Sequence, residues 1–284
     1  MPITIVPSGA ALGAEIRGVD LAGEIDPATM HEIRQAFFQH EVVYFRNREL
    51  SDDDHIRFSE RIGELRTGKH RTFRLHRPEF IVVSNIVENG QHIGSYDAGI
   101  LWHTDGAHFA QPPVASLLHA VEVPEKDGRT LGATRFASMT AAYEALSSSM
   151  KKRIEGLEAL HSVLHRDNKS KLEGNKPVEL GEEEKKNLQA VRPVVRIHTA
   201  TGRKCLYVSE GYTSKILGIP EDESKDLLTE LTAHCTQLRF VYTHSWRTHD
   251  LVMWDDCSTQ HKATFDYALP LRRLMYRTTV SRYS

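Results

Sequence analysis

Apolar positions recur along the chain in two periods. Met30, Ile33 and Phe37 recur at helical spacing behind Asp26-Pro27, where aspartate can cap a helix and proline suits its first turn. Ser51 and Asp54 make a capping-box pattern ahead of Ile56, Phe58 and Ile62, which predicts a second helix. Ser138 can cap a helix through Tyr143 and Leu146, a short helix follows from Met150, and Leu227, Leu228 and Leu231 predict another over 221–235. Between these lie β-branched and aromatic runs that predict strands: Val42 to Phe45, Phe80 to Val83, Ala115 to Val123, Leu160 to Val163, Leu238 to Tyr242, Leu251 to Trp254 and Leu274 to Val280. Val194 to Ile197 and Leu206 to Val208 predict a hairpin joined through Thr201-Gly202-Arg203-Lys204. Glu88 to Gly99, with Asn89-Gly90 inside it, reads as a loop that runs into a short strand at Leu101-Trp102-His103-Thr104-Asp105. Residues 165–187 change character, being rich in Lys, Glu, Asn and Gly, and read as a solvated insertion or as a lid. No internal repeat is present. The pattern by itself predicts an α+β chain, rich in strands with a few helices.

Composition narrows the classes of partner. Of 284 residues, 26% are charged and the net charge is −2 (36 − 38), so nothing calls for nucleic acid or an acidic membrane surface. The first residues lack a basic region followed by an apolar run, and no stretch of about 18 apolar residues occurs, so no leader and no membrane span is expected. Cys205, Cys235 and Cys257 are widely spaced and odd in number, which predicts reduced thiols in a cytoplasmic protein. No Cys-x-x-Cys pair supports a structural zinc site. Cys257 receives no chemistry from its type alone, because small buried thiols are common.

Candidate chemistry starts at His103 and Asp105. Side chains two apart on a strand share a face, so an imidazole and a carboxylate stand side by side there, with Thr104 turned away. His261, after the apolar run Leu251 to Met253, is the best candidate for a third corner. Two histidines and one carboxylate on one side of a metal form the facial triad of non-haem Fe(II) sites. With sixteen histidines in the chain, His-x-Asp alone arises easily by chance. Arg272, Arg273 and Arg277 strengthen it, since guanidinium forks match carboxylates. The interleaved Leu274, Met275 and Tyr276 speak against a solvated face, and on a strand Arg273, Met275 and Arg277 would point the same way.

Several segments together resemble the taurine dioxygenase / 2,4-dichlorophenoxyacetate dioxygenase (TauD/TfdA) family of Fe(II)- and 2-oxoglutarate-dependent oxygenases. They are Trp102-His103-Thr104-Asp105, Thr134 in Gly132-Ala133-Thr134-Arg135-Phe136, Trp254-Asp255-Asp256 leading to His261, and Leu269 to Arg277. Weaker echoes are Leu12 to Ile16, Gly18 to Leu21 and Ser209-Glu210-Gly211-Tyr212-Thr213, so the likeness spans nearly the whole chain in order. It implies a double-stranded β-helix core (a jelly roll, cupin-like) with flanking helices, residues 1–284 forming a single domain with a lid or insertion at 165–190. It implies Fe(II) held by His103, Asp105 and His261, with O2 and 2-oxoglutarate as co-substrates, the latter anchored by Arg273 and Thr134. Without the resemblance Thr134 would read as an ordinary sheet threonine. Arg277 matches the position that binds an anionic group of the prime substrate. Tyr212, His70, Asp97 and His108 are candidates to line that pocket.

Departures bear on the substrate. The taurine enzymes carry an asparagine before the tryptophan of the Trp-His motif, and Leu101 stands here; their extra histidine after the second helix is matched only by a displaced His70. Taurine itself is therefore disfavoured, and a small carboxylate such as an aryloxyalkanoate, or an organosulfonate, is expected. A carboxylate at Asp105 points to hydroxylation, since halogenating relatives place a small residue there. A homo-oligomer, dimer or tetramer, is expected. Two rival readings stand: a zinc hydrolase on the same three ligands, and a non-catalytic metabolite-binding cupin.

Overall fold

The computed structural model describes residues 3–47, 49–68, 73–74, 77–165 and 188–284. His70 and most of the 165–190 segment lie outside the described residues. The chain opens with strands β1 (Thr4–Pro7) and β2 (Ala14–Arg17) and then helix α1 (Pro27–His40). Asp26 caps α1 by accepting from the Ala28 and Thr29 amides, as its sequence predicts. After β3 (Val42–Phe45) comes α2 (Asp52–Ile62), whose capping box joins Ser51 and Asp54 in both directions. Strands β4 (Gly63–Leu65), β5 (Phe73–Arg74) and β6 (Arg77–Ser84) follow. The segment read as a loop holds a small hairpin, β7 (Val87–Glu88) and β8 (Gln91–His92). Asn89 and Gly90 both take positive φ, 50° and 77°, the conformation that favours Asn-Gly in two-residue hairpin turns.

Strand β9 (Ala115–Glu122) leads through β10 (Glu125–Lys126) and β11 (Arg129–Thr130) to β12 (Thr134–Ser138). Short helices α3 (Met139–Glu144) and α4 (Ser148–Ile154) start on the caps Ser138 and Ser147. Then come β13 (Glu158–Ser162), β14 (Gln189–Pro193), β15 (Val195–Ile197), β16 (Lys204–Leu206), β17 (Thr213–Ile216) and α5 (Glu221–Cys235). Leu238 to Tyr242, expected as one strand, divides into a 3-10 turn at Leu238–Phe240 and strand β18 (Val241–His244). Over so few residues an apolar pair fits either period, and Leu238 stays 78% exposed. Strands β19 (Leu251–Asp255), β20 (Thr259–Ala263) and β21 (Leu274–Tyr283) complete the chain.

Two sheets face each other. The larger runs β1-β2-β3-β19-β9-β21-β6-β5, with β4 also paired to β21; the smaller runs β18-β12-β20. Phe136 and Tyr242 of the small sheet pack with Val42, Leu118, Val252, Trp254 and Met275 of the large one, so the space between the sheets is a closed apolar core. The outer face of the large sheet is covered by α1 and α2, with Ile33, Phe37, Phe58 and Ile62 against Val43, Phe45, Leu117 and Met253. A third cluster joins α3, α4 and α5 to β13, β16 and β17. This is an α+β jelly roll with flanking helices. Among the described residues no helix is long and apolar enough to cross a membrane.

Candidate active site

The segment at 101–105 is not a strand. His103 forms an isolated bridge with His261, and the chain turns at Asp105, helped by Gly106 at φ +58°. His103 and His261 face each other across this bridge, each donating its amide to the other's carbonyl, at 3.0 Å and 2.8 Å. Residues opposed in an antiparallel pair project to the same side. That brings the two imidazoles together, with ring centroids 4.2 Å apart. Each Nε2 lies 3.8 Å from an oxygen of Asp105. One donor atom from each residue fits within 4.8 Å of the others, and all three side chains are buried. His103 and Asp105 lie together, as their spacing predicts, but a turn, not strand alternation, holds them. Thr104 turns away and donates to the Thr259 carbonyl.

Burial alone would raise the Asp105 carboxyl; the charges of Arg277, His261 and His103 outweigh it and hold the group well below the usual carboxylate range. Burial and the neighbouring His103 push His261 well below an ordinary imidazole, so it presents a neutral nitrogen. A carboxylate beside a neutral imidazole is a protonation state in which a metal can be ligated.

The register of the small sheet places Thr134. Phe136 opposes His261 and Thr134 opposes Ala263, so Thr134 lies one pair along on the His261 side. Its hydroxyl is buried and accepts the Trp246 indole N–H at 3.0 Å. Arg273 was expected on one strand with Arg277. Instead it stands immediately before β21, which pairs with β6 in unbroken register from Leu274 to Arg277; the shift against β9 skips Val121 on β9. Arg273 is buried, its backbone is clamped by Asn85 and Ser84, and no carboxylate pairs with it among the described residues. Its Nε has no hydrogen-bond partner, and burial lowers its proton affinity. Gly132 leaves room for it: a Cβ there would sit 3.4 Å from that Nε and 2.8 Å from the Tyr267 ring.

Arg277 lies on β21, and its Nη1 donates to both oxygens of Asp105 at 2.7 Å. Neither Asp255 nor Asp256 lies within ion-pair distance of it among the described residues. Tyr212 stands 6.0 Å from the His103 ring, and His108 stacks on Tyr212 at 5.1 Å and 17°. These two rings therefore wall the histidine side of the triad. Asp97 is exposed, and no ion pair joins it to Arg277, His103 or His261. Sequence reasoning missed Ser116, which donates to Asp256 at 2.7 Å and to Asp105 at 3.4 Å, and Trp246 on Thr134. A serine inside an apolar strand run was the only signal for the first, and the second had none.

Residues 4–279 match the model of the taurine catabolism dioxygenase TauD, TfdA family. The chain belongs to this family. Pentalenolactone F synthase of Streptomyces arenae is 33% identical over 291 residues, covering 99% of this chain and 95% of that protein. The alpha-ketoglutarate-dependent 2,4-dichlorophenoxyacetate dioxygenase of Burkholderia sp. (strain RASC) is 32% identical, covering 94% and 91%. Among solved structures, AAD-2 in complex with Mn(II) and N-oxalylglycine superposes with a TM-score of 0.84 at 30% identity, covering 99% of this chain and 97% of that one.

Proposed function

We propose that this protein is an Fe(II)- and 2-oxoglutarate-dependent dioxygenase that hydroxylates a C–H bond of a small anionic substrate, with release of CO2 and succinate. The observation that carries the reading is the meeting of His103, Asp105 and His261 from distant parts of the chain in one buried cluster. Their donor set, two imidazoles and a carboxylate, fits Fe(II) and leaves coordination positions open. Arg273 fits the far carboxylate of 2-oxoglutarate: its guanidinium is buried, meets only the Tyr267 hydroxyl among the described residues, and keeps an unpartnered Nε that can donate to an anion. Thr134 offers its hydroxyl on the His261 side of the small sheet. When bound, the metal with 2-oxoglutarate and O2 supplies the oxidative chemistry; the protein orients the reactants and keeps water out. The zinc-hydrolase reading leaves Arg273 without a task, and a silent binding cupin leaves the intact triad without one.

Arg277 is our choice for the acid of the prime substrate, with Tyr212 and His108 as the aromatic wall on the His103 side of the triad and with Asp97 and His70 as further candidates to line the pocket. Aromatic rings and a guanidinium about one triad suit an aryloxyalkanoate, and an organosulfonate presents the same anionic handle. The relative from Burkholderia sp. carries 2,4-dichlorophenoxyacetate in its name. We also read the chain as one domain in a cytoplasmic dimer or tetramer, which sedimentation in solution checks. The function is tested by O2 uptake and succinate release with Fe(II) and 2-oxoglutarate. Both should depend on each addition, and hydrolysis supported by Zn(II) without O2 would favour the rival.

A further inference from the structure

Cys205 and Cys257 take no part in the chemistry above. Cys205 sits on β16, and Cys257 in the turn between β19 and β20, four residues before His261. Both are buried, at 0% and 3% exposure, and their sulfurs are 4.0 Å apart, in van der Waals contact. The Cys205 thiol also lies 3.2 Å from the Cys257 carbonyl. Beside them Arg196 lies over the Tyr207 ring at 5.0 Å, with its Nη1 buried and lacking a hydrogen-bond partner. No carboxylate within ion-pair distance neutralises Arg196 among the described residues. The thiol of Cys205 and the charge of Arg196 both stabilise the Cys257 thiolate and hold its pKa below the ordinary value, while Cys205 is held well above it. Cys205 Sγ also has the Arg196 carbonyl within 3.4 Å, so its proton has two carbonyl acceptors, and Cys257 is the sulfur the geometry leaves as nucleophile.

A soft metal is the rival use of this cluster, since His198, Asp255 and Cys257 can also bring donor atoms within 4.8 Å. The hydrogen bonds oppose it. His198 Nδ1 accepts the amides of Ala200 and Thr201, so its Nε2 carries the hydrogen donated to Asp255 at 2.6 Å. Asp255 accepts further from the Cys257 and Ser258 amides and the Tyr283 hydroxyl. The imidazole and the carboxylate are already committed to holding the turn, and the sulfurs are the groups left to react.

We propose that Cys205 and Cys257 form a dithiol site that a peroxide oxidises to an intramolecular disulfide, tying β16 to the turn that leads into the His261 strand. The Cys257 sulfur attacks hydrogen peroxide; an S–O bond forms, the O–O bond breaks, and the leaving hydroxide takes a proton to become water. The Cys205 sulfur then attacks the Cys257 sulfur; the S–S bond forms, the S–O bond breaks, and the second hydroxide leaves with the Cys205 proton. Two thiols and one peroxide give one disulfide and two waters, with two electrons passing from sulfur to oxygen. A disulfide is about 2.05 Å long, so the sulfurs must close by roughly 2 Å. The strain falls on residues 257–259, where the Ser258 carbonyl accepts the Met139 amide and the Thr259 carbonyl accepts the Thr104 hydroxyl next to His103.

The test is peroxide titration of the full-length protein as purified, followed by alkylation under denaturing conditions and peptide mapping. The expected result is loss of two hydrogens per chain, a Cys205–Cys257 cross-linked peptide, Cys235 still alkylated, and reversal by dithiothreitol. In Cys205→Ser, Cys257 loses its resolving partner, and a dimedone adduct should appear at Cys257 that is minor in the wild type. Three results overturn the proposal: Cys205 and Cys257 both alkylated after oxidation, a cross-link made through Cys235, or stoichiometric zinc in the native mass that protects both thiols. None of these readouts depends on iron or on turnover, so the proposal stands or falls apart from the catalytic reading.

Discussion

Arg277 holds both oxygens of Asp105 through one Nη1, at 2.7 Å each, so the arginine chosen for the substrate's acid is tied to a candidate metal ligand. A metal held by Asp105 would compete with this pairing and would leave the guanidinium, whose buried Nε has no hydrogen-bond partner, with donors for an anion. Arg277→Gln should collapse hydroxylation of the prime substrate while uncoupled 2-oxoglutarate turnover falls by less than about tenfold, a loss below about 1.4 kcal/mol. Parallel succinate assays with and without prime substrate separate the two. Equal loss of both would make Arg277 a support for Asp105 alone.

Arg273 gives a sharper case. A buried carboxylate deprived of its charged partner costs on the order of 2–5 kcal/mol, so Arg273→Ala should raise the 2-oxoglutarate requirement by orders of magnitude. Arg272 is no substitute, because it is exposed and paired with Glu122 at 3.2 Å. A titration of 2-oxoglutarate against succinate formation decides it, and an unchanged requirement removes Arg273 from the anchor.

What could be read in advance followed from local chemistry. The caps at Asp26 and Ser51, the hairpin through residues 201–204 and the helix over 221–235 each depend on neighbours a few residues away, and the structure has them. His103 and Asp105 were paired by the right spacing and the wrong conformation. The bridge of His103 to His261 joins residues 158 apart (261 − 103), and no local pattern carries such a register; only the family resemblance did. The same holds for the contacts from Ser116 to Asp256 and from Trp246 to Thr134, which exist because distant strands lie side by side. Arg273, expected inside one strand with Arg277, stands one residue before that strand begins.

Away from the site, Glu41 makes stability depend on pH. It ends α1 at φ 61° and is buried, and burial raises its carboxyl to about 7, against the opposing hydroxyls of Ser138 and Thr140. The folded protein therefore keeps a proton that the unfolded chain releases near 4.5. This stabilisation is fully present below about 4.5 and is lost as pH rises through about 7, amounting to at most about 3 kcal/mol. Glu41→Gln should flatten that loss, so its Tm should fall less than the wild type's between pH 5 and pH 8. Calorimetry at the two pH values checks it, and equal slopes would show that Glu41 is ionised in the folded protein.

The central claim is that His103, Asp105 and His261 form one iron site that works with 2-oxoglutarate. The most direct measurement is anaerobic titration of Fe(II) and 2-oxoglutarate into the protein, following the visible charge-transfer absorption, for the wild type and for His261→Ala. The account predicts a band that saturates at one Fe(II) and one 2-oxoglutarate per chain, and its loss in His261→Ala. A wild type without the band, or a variant that retains it at the same stoichiometry, would contradict the account.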